Sequence, residues 1–231
     1  MTSEWLIDTE TLSQNLGRDD LVIIDVRGPG AYSSHIPGAI NSTWHEYSDP
    51  EATAKGVLDP DISRLEQRLR ALGIKNSSDI VIYCNPFDNW GDEGRMFWML
   101  KYLGHPSVKV LDGGWVKWTA EARPYEHDPV QLPPGDFQVS LHPEIMMLKD
   151  ELKKLVKRPH PESILLDARS VEEYAGKEID GLPRAGHIPS AINIPWNGFL
   201  NSDGTLKDLS TIQNLFQDFG MQPSHEVITY C

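Results

Sequence analysis

Cysteine is scarce in this chain, with two in 231 residues, Cys84 and Cys231. Two thiols do not make a disulfide framework, and no Cys-x-x-Cys pair or His/Cys group at zinc spacing occurs. Long apolar runs are also missing; the longest are about strand length, against the roughly 20 residues a membrane span needs. The N-terminal stretch Met1-Thr-Ser-Glu-Trp-Leu has no basic region followed by an apolar core. No signal peptide is therefore expected, and a cytoplasmic location follows. Basic residues are outnumbered, 21 Lys and Arg against 34 Asp and Glu, for a net charge of −13. Phosphate backbones and anionic membranes repel such a surface, so neither is expected as the main partner. A small anionic substrate would need basic groups supplied locally. Gly28-Pro-Gly30 lacks the third glycine and the ribose-binding acid of a dinucleotide fingerprint.

What the chain does contain is a repeat. The first copy reads Leu21-Val-Ile-Ile-Asp25-Val-Arg27, then His35-Ile-Pro-Gly-Ala-Ile-Asn41, then Ile80-Val-Ile-Tyr-Cys84. The second reads Ile164-Leu-Leu-Asp167-Ala-Arg169, then His187-Ile-Pro-Ser-Ala-Ile-Asn193, then Val227-Ile-Thr-Tyr-Cys231. Three landmarks in one order at a nearly constant separation indicate a duplicated domain. The apolar runs Val22-Ile-Ile and Ile80-Val-Ile do not alternate, as expected of parallel strands buried on both faces. Helical patterns lie between them, for example Ile62–Leu72, with Leu65, Leu69 and Leu72 at helical spacing and Gly73 as a stop. Strands alternating with helices predict an α/β fold, each copy a parallel sheet flanked by helices on both faces.

Each copy is expected to open with a short strand and a helix. These are Trp5–Asp8 before Thr9–Leu16, and Phe137–Leu141 before Pro143–Lys157, where Pro143 suits a first helical turn. The resulting domains are 1–122 and 137–231, joined by a Pro- and acid-rich linker, 123–136. The first copy continues past Cys84 through a loop, a helix at about Glu93–Leu103, the strand Val108–Leu111 and Asp112-Gly-Gly-Trp115 opening a last helix. The second copy ends at its fourth strand with no counterpart to these, so the natural chain is expected to continue past Cys231.

An apolar strand that delivers a thiol to the end of a sheet is a common way to present a nucleophile. Glu226-Val-Ile-Thr-Tyr-Cys231 fits that pattern and marks Cys231 as the candidate. Backbone amides and a helix N-terminus beside such a cysteine bring its pKa down from about 8.5 toward neutrality. Cys84 holds the equivalent place in the first copy. Its following loop, Asn85-Pro-Phe-Asp-Asn-Trp-Gly-Asp92, is long and carries two acids, and Pro86 removes one N–H donor. Carboxylates raise a thiol pKa, so Cys84 is expected to react little.

With these landmarks the chain resembles tandem-domain rhodaneses, the thiosulfate and 3-mercaptopyruvate sulfurtransferases. The matching residues are the Asp-x-Arg pairs at 25–27 and 167–169, the two His-Ile-Pro segments, Leu111-Asp-Gly-Gly-Trp115 and Asp203-Gly-Thr-Leu-Lys207. The resemblance implies a non-catalytic first domain and a catalytic cysteine after the fourth strand of the second, the place of Cys231. It implies transfer of a sulfane sulfur from a small anionic donor to a thiol or cyanide acceptor. A cysteine persulfide carries the sulfur, and the cycle requires no metal or organic cofactor. Arg184, on a segment present only in the second copy (Gly176 to Arg184), is the candidate contact for the donor's oxyanion. The two Asp-x-Arg arginines and the His-Ile-Pro histidines are read as structural. Mercaptopyruvate-type relatives carry an arginine shortly after the second Asp-x-Arg, where this chain reads Glu172-Glu173-Tyr174, which points to thiosulfate. The alternatives are a mercaptopyruvate enzyme and a non-catalytic rhodanese-like binding module.

Overall fold

A computed structural model of the protein describes residues 4–53, 56–88, 90–177 and 184–231. The chain divides into two compact units, one comprising Met1–Pro143 and Asp203–Thr205, the other Glu144–Ser202 and Leu206–Cys231. Among the described residues no helix is long and apolar enough to cross a membrane.

The first unit is built on five parallel strands: β1 (Leu6–Ile7), β2 (Leu21–Asp25), β3 (Ala39–Asn41), β4 (Asp79–Tyr83) and β5 (Val108–Leu111). Their order across the sheet is β1-β5-β4-β2-β3. The helices are α1 (Thr9–Asn15), α2 (Ile62–Ala71), α3 (Asp92–Tyr102) and α4 (Gly114–Ala120). After their first residue, β2 and β4 are buried throughout, which is why their sequences show no alternation. One core cluster joins strand residues Ile23, Val81 and Tyr83 to Leu12 of α1 and Trp118 of α4. Helix starts are set by local chemistry. Asp8 accepts from the Thr11 amide at 2.7 Å and Asp61 from the Arg64 amide at 3.2 Å, each satisfying an otherwise orphaned donor.

The second unit repeats the arrangement with β6 (Ser163–Asp167), β7 (Ile192–Asn193) and β8 (Glu226–Tyr230), all parallel in the order β7-β6-β8. Its helices are α5 (Lys149–Lys157), α6 (Val171–Tyr174) and α7 (Leu209–Asp218). Leu166, Ile194 and Met221 form its core, with Phe199, Leu215 and Phe216 packed against them.

Two expected elements differ. Phe137–Leu141 is not a strand. Its amides bond to helix ends and loops instead of a sheet edge: Phe137 to the Ile74 carbonyl (3.2 Å), Ser140 to Leu103 (3.0 Å) and Val139 to the Glu66 carboxylate (2.8 Å). Phe137 is fully buried in the first unit, so the segment is a strap across that unit's surface. The expected helix Pro143–Lys157 is also interrupted. A 3-10 turn covers Pro143–Ile145, and α5 starts afresh at Lys149 after Leu148 adopts extended backbone. The Glu151 carboxylate accepts from the Leu148 amide at 2.8 Å and anchors the new start.

Candidate active site

The two copies place their cysteines alike. Tyr83 of β4 pairs in register with Asp25 of β2, and Tyr230 of β8 pairs with Asp167 of β6. The ladder runs one step further in each, through Val26 N–H to Tyr83 O (3.0 Å) and Ala168 N–H to Tyr230 O (2.9 Å). The next residue is the thiol, Cys84 or Cys231, where the strand leaves the sheet at its carboxyl end. Open α/β sheets present ligands and reactive groups at that end.

Beneath each thiol lies one repeated polar network. Arg169 grips Asp167 with Nε to Oδ1 at 3.0 Å and Nη2 to Oδ2 at 2.7 Å, and donates from Nη2 to the Gly186 carbonyl at 2.9 Å. Arg27 grips Asp25 in the same way, at 2.9 and 2.6 Å, and reaches the Ser34 carbonyl at 2.7 Å. The tyrosine preceding each cysteine ties the strand to the His-Ile-Pro turn: Tyr83 Oη accepts from Ile36 N–H (3.2 Å) and Tyr230 Oη from Ile188 N–H (3.0 Å). Tyr83 also donates to Asp25 Oδ2 at 2.7 Å. Asn41 and Asn193 each donate to the carbonyls of the Asp and the Arg of their own copy. The histidines stack on a tyrosine, His35 on Tyr32 at 4.1 Å and His187 on Tyr174 at 3.7 Å, and each bonds that tyrosine's carbonyl. These side chains are therefore the frame that fixes the strand end.

The electrostatics follow from burial and pairing. Burial pushes the Asp167 carboxyl upward, but the hydrogen bonds from Arg169 outweigh it and hold the group below the ordinary carboxylate range. Burial pushes the Tyr230 phenol up to about 12, so it remains a neutral donor and acceptor at physiological pH.

Cys231 is free and exposed. Cys84 is 1% exposed and donates from Sγ to Glu93 Oε2 at 2.7 Å. Burial, then the adjacent Glu93 carboxylate, push the Cys84 thiol far up, and burial raises Glu93 as well. Glu93 and Asp92 fill the first turn of α3, so the positive end of that helix faces carboxylates. The main chain of Cys84 is held as well: its carbonyl accepts from Trp115 N–H at 2.8 Å, and a Cβ on Gly114 would meet that carbonyl at 2.3 Å. Only glycine permits this approach, as Gly114 also sits at φ +51°.

Arg184 is exposed, and among the described residues no hydrogen bond or ion pair joins it to Cys231. Most of the segment before it, residues 178–183, lies outside the described residues. Sequence reasoning assigned no role to Tyr83, Tyr230, Asn41 or Asn193, although the recurrence of Tyr-Cys and of the terminal Asn in both copies was a usable signal. It also missed Glu93, naming the acids of the loop instead.

Against known proteins, the family model described as a rhodanese-like domain matches twice, over residues 8–121 and 148–231. A sulfur carrier protein of Thermus thermophilus, TtuD, is 30% identical over 99% of this chain and 82% of its own length. A putative thiosulfate sulfurtransferase of Mycobacterium bovis is 32% identical over 98% of this chain and 82% of its own. Among solved structures, SseA from Escherichia coli, described as a 3-mercaptopyruvate sulfotransferase, superposes with a TM-score of 0.86 at 26% identity. That match covers 99% of this chain and 88% of the other.

Proposed function

The chain belongs to the tandem rhodanese sulfurtransferase family, and from that premise we propose that it moves sulfane sulfur from thiosulfate through a persulfide on Cys231. The Cys231 thiolate attacks the outer sulfur of the donor. The donor's S–S bond breaks, sulfite leaves with its electron pair, and a new S–S bond forms on Cys231. An acceptor thiolate then takes the terminal sulfur and returns Cys231 as thiolate, a two-step covalent cycle with ping-pong kinetics. The observation that carries this reading is the placement of Cys231 at the carboxyl end of β8, on the frame of Asp167, Arg169 and Tyr230. Cys84, on the equivalent frame, is buried and hydrogen-bonded to a carboxylate. The sulfur-carrier name of the Thermus relative supports a cysteine that holds sulfur between partners.

Thiosulfate is preferred for a local reason. Glu173 caps α6 by accepting from the Ser170 amide and hydroxyl at 3.1 and 3.0 Å, and Glu172 is exposed beside it. Neither side chain pairs with a pyruvate carboxylate. Arg184 is assigned the donor's oxyanion, because a guanidinium matches such a group bidentately. The second reading, a mercaptopyruvate enzyme, is favoured by the likeness to SseA. Comparing kcat/KM for the two donors in the purified protein decides between them. Thiosulfate is expected to win, with Cys231→Ser inactive and Arg184→Ala raising KM for thiosulfate. Higher kcat/KM for mercaptopyruvate would establish the second reading, and turnover by Cys231→Ser would end both.

A further inference from the structure

We propose that Glu93 is the residue that silences Cys84, confining sulfur loading to one of two thiols held on equivalent frames. The inference rests on the assignment of Cys231 as the sulfur carrier and adds a specificity-determining residue to it.

The two cysteines share strand position, the Tyr-Cys junction and the Asp-Arg network, so none of these explains a difference in reactivity. Beyond that frame, Cys84 meets the Glu93 carboxylate, 2.7 Å from Sγ. Loading sulfur on Cys84 would require its proton to leave before Sγ bonds the donor's outer sulfur and expels sulfite. Two routes exist. If the proton goes to solvent, a thiolate and a carboxylate are left in contact at a buried site, with Asp92 adding a further negative charge. If it goes to Glu93, the pair must exchange a carboxylate for a thiolate. Ordinary pKa values of about 4.3 and 8.5 make that state roughly one part in ten thousand. Both routes starve Sγ of negative charge. The backbone approach of Gly114 and Trp115 holds the carbonyl of Cys84, and with it the strand end that carries the thiol, in place beside α3.

Glu93→Gln separates this gate from mere burial. The amide keeps the shape, removes the charge and offers an N–H to a thiolate. Opening of the buried site is common to both proteins, so the ratio of their rates reads the electrostatics. The test is iodoacetamide alkylation of the folded protein across pH 7 to 11, with peptide mapping of both cysteines. In the wild type, Cys84 is expected to alkylate only at the alkaline end, far above the ordinary thiol value of about 8.5. In Glu93→Gln its rate at pH 9 is expected to rise about tenfold or more, a shift of at least one pH unit. Incubation with thiosulfate is then expected to add sulfur at Cys84 as well as Cys231.

An unchanged Cys84 rate in a folded Glu93→Gln protein would overturn the proposal and assign the silence to burial alone. A wild-type Cys84 that alkylates with an ordinary thiol profile would overturn it whether or not the variant folds. Alkylation of the variant at the rate of the urea-unfolded chain would mean unfolding, and the wild-type profile then decides. Failure of Cys231 to load sulfur would strike the functional reading and leave the alkylation result standing.

Discussion

Asp25→Asn removes one charge and almost no volume from the frame of the first unit. Asp25 and Arg27 are 0% and 4% exposed at their side chains, so the arginine that remains is a buried cation without its counterion. The geometry makes the substitution worse than neutral. Oδ2 accepts from Arg27 Nη2 at 2.6 Å and from Tyr83 Oη at 2.7 Å, and an amide nitrogen placed there meets two donors. Turned the other way, it loses the Arg27 amide and Nε instead, both held by Oδ1. Breaking one side of a buried, hydrogen-bonded ion pair costs about 3–5 kcal/mol. Against a total stability of about 5–15 kcal/mol for a domain, that is a large fraction. Urea unfolding followed by tryptophan fluorescence reports it cleanly, because six of the seven tryptophans precede Pro143. One of them, Trp115, lies 4.1 Å under the Arg27 guanidinium. The double variant Asp25→Asn with Arg27→Met removes both charges. Its cost is expected to fall short of the sum of the single costs by about 1–3 kcal/mol. A single-variant cost below about 1 kcal/mol, or strict additivity, would refute the view that this pair is an interdependent clamp.

Tyr83→Phe and Tyr230→Phe each strip the acceptor from one turn amide, so exchange at Ile36 and Ile188 respectively is expected to speed up when followed by hydrogen exchange. Leaving a buried donor unpaired costs about 1–3 kcal/mol, and the larger loss is expected for Tyr83, which is fully buried. Asp167 holds its proton less tightly folded than unfolded, so its contribution is present above the ordinary carboxylate value of about 3.9 and lost as pH falls through the lower folded value. The difference in urea midpoint between the wild type and Asp167→Asn is accordingly expected to shrink below about pH 4; a gap unchanged down to pH 3 would contradict the pairing.

The duplicated α/β architecture was legible because the features that build it are local and periodic. Buried strands read as unbroken apolar runs, and Gly73 stands where the helical run Ile62–Leu72 stops. What was not legible depends on where distant segments meet. Phe137–Leu141 has strand composition, but its backbone partners are Ile74 and Leu103, at helix ends that no local pattern identifies. The break between Ile145 and Lys149 covers residues 146–148, with Leu148 in extended backbone, in a run that reads as helical throughout. At the site, the Asp-x-Arg pairs were read as structural, and their geometry is that of a clamp. The weak reactivity expected of Cys84 was argued from acids in the loop. The carboxylate that touches it is Glu93, one residue into α3, because the helix N-terminus turns that side chain back toward the strand. Nothing in the spacing from Cys84 to Glu93 reports that contact.

The central claim is that Cys231 carries the sulfur. Intact mass and peptide mapping before and after incubation with thiosulfate test it most directly. The account predicts a gain of one sulfur atom, mapped to Cys231 and removed by a thiol acceptor, with Cys84 unmodified. An adduct on Cys84 with Cys231 unchanged would contradict it.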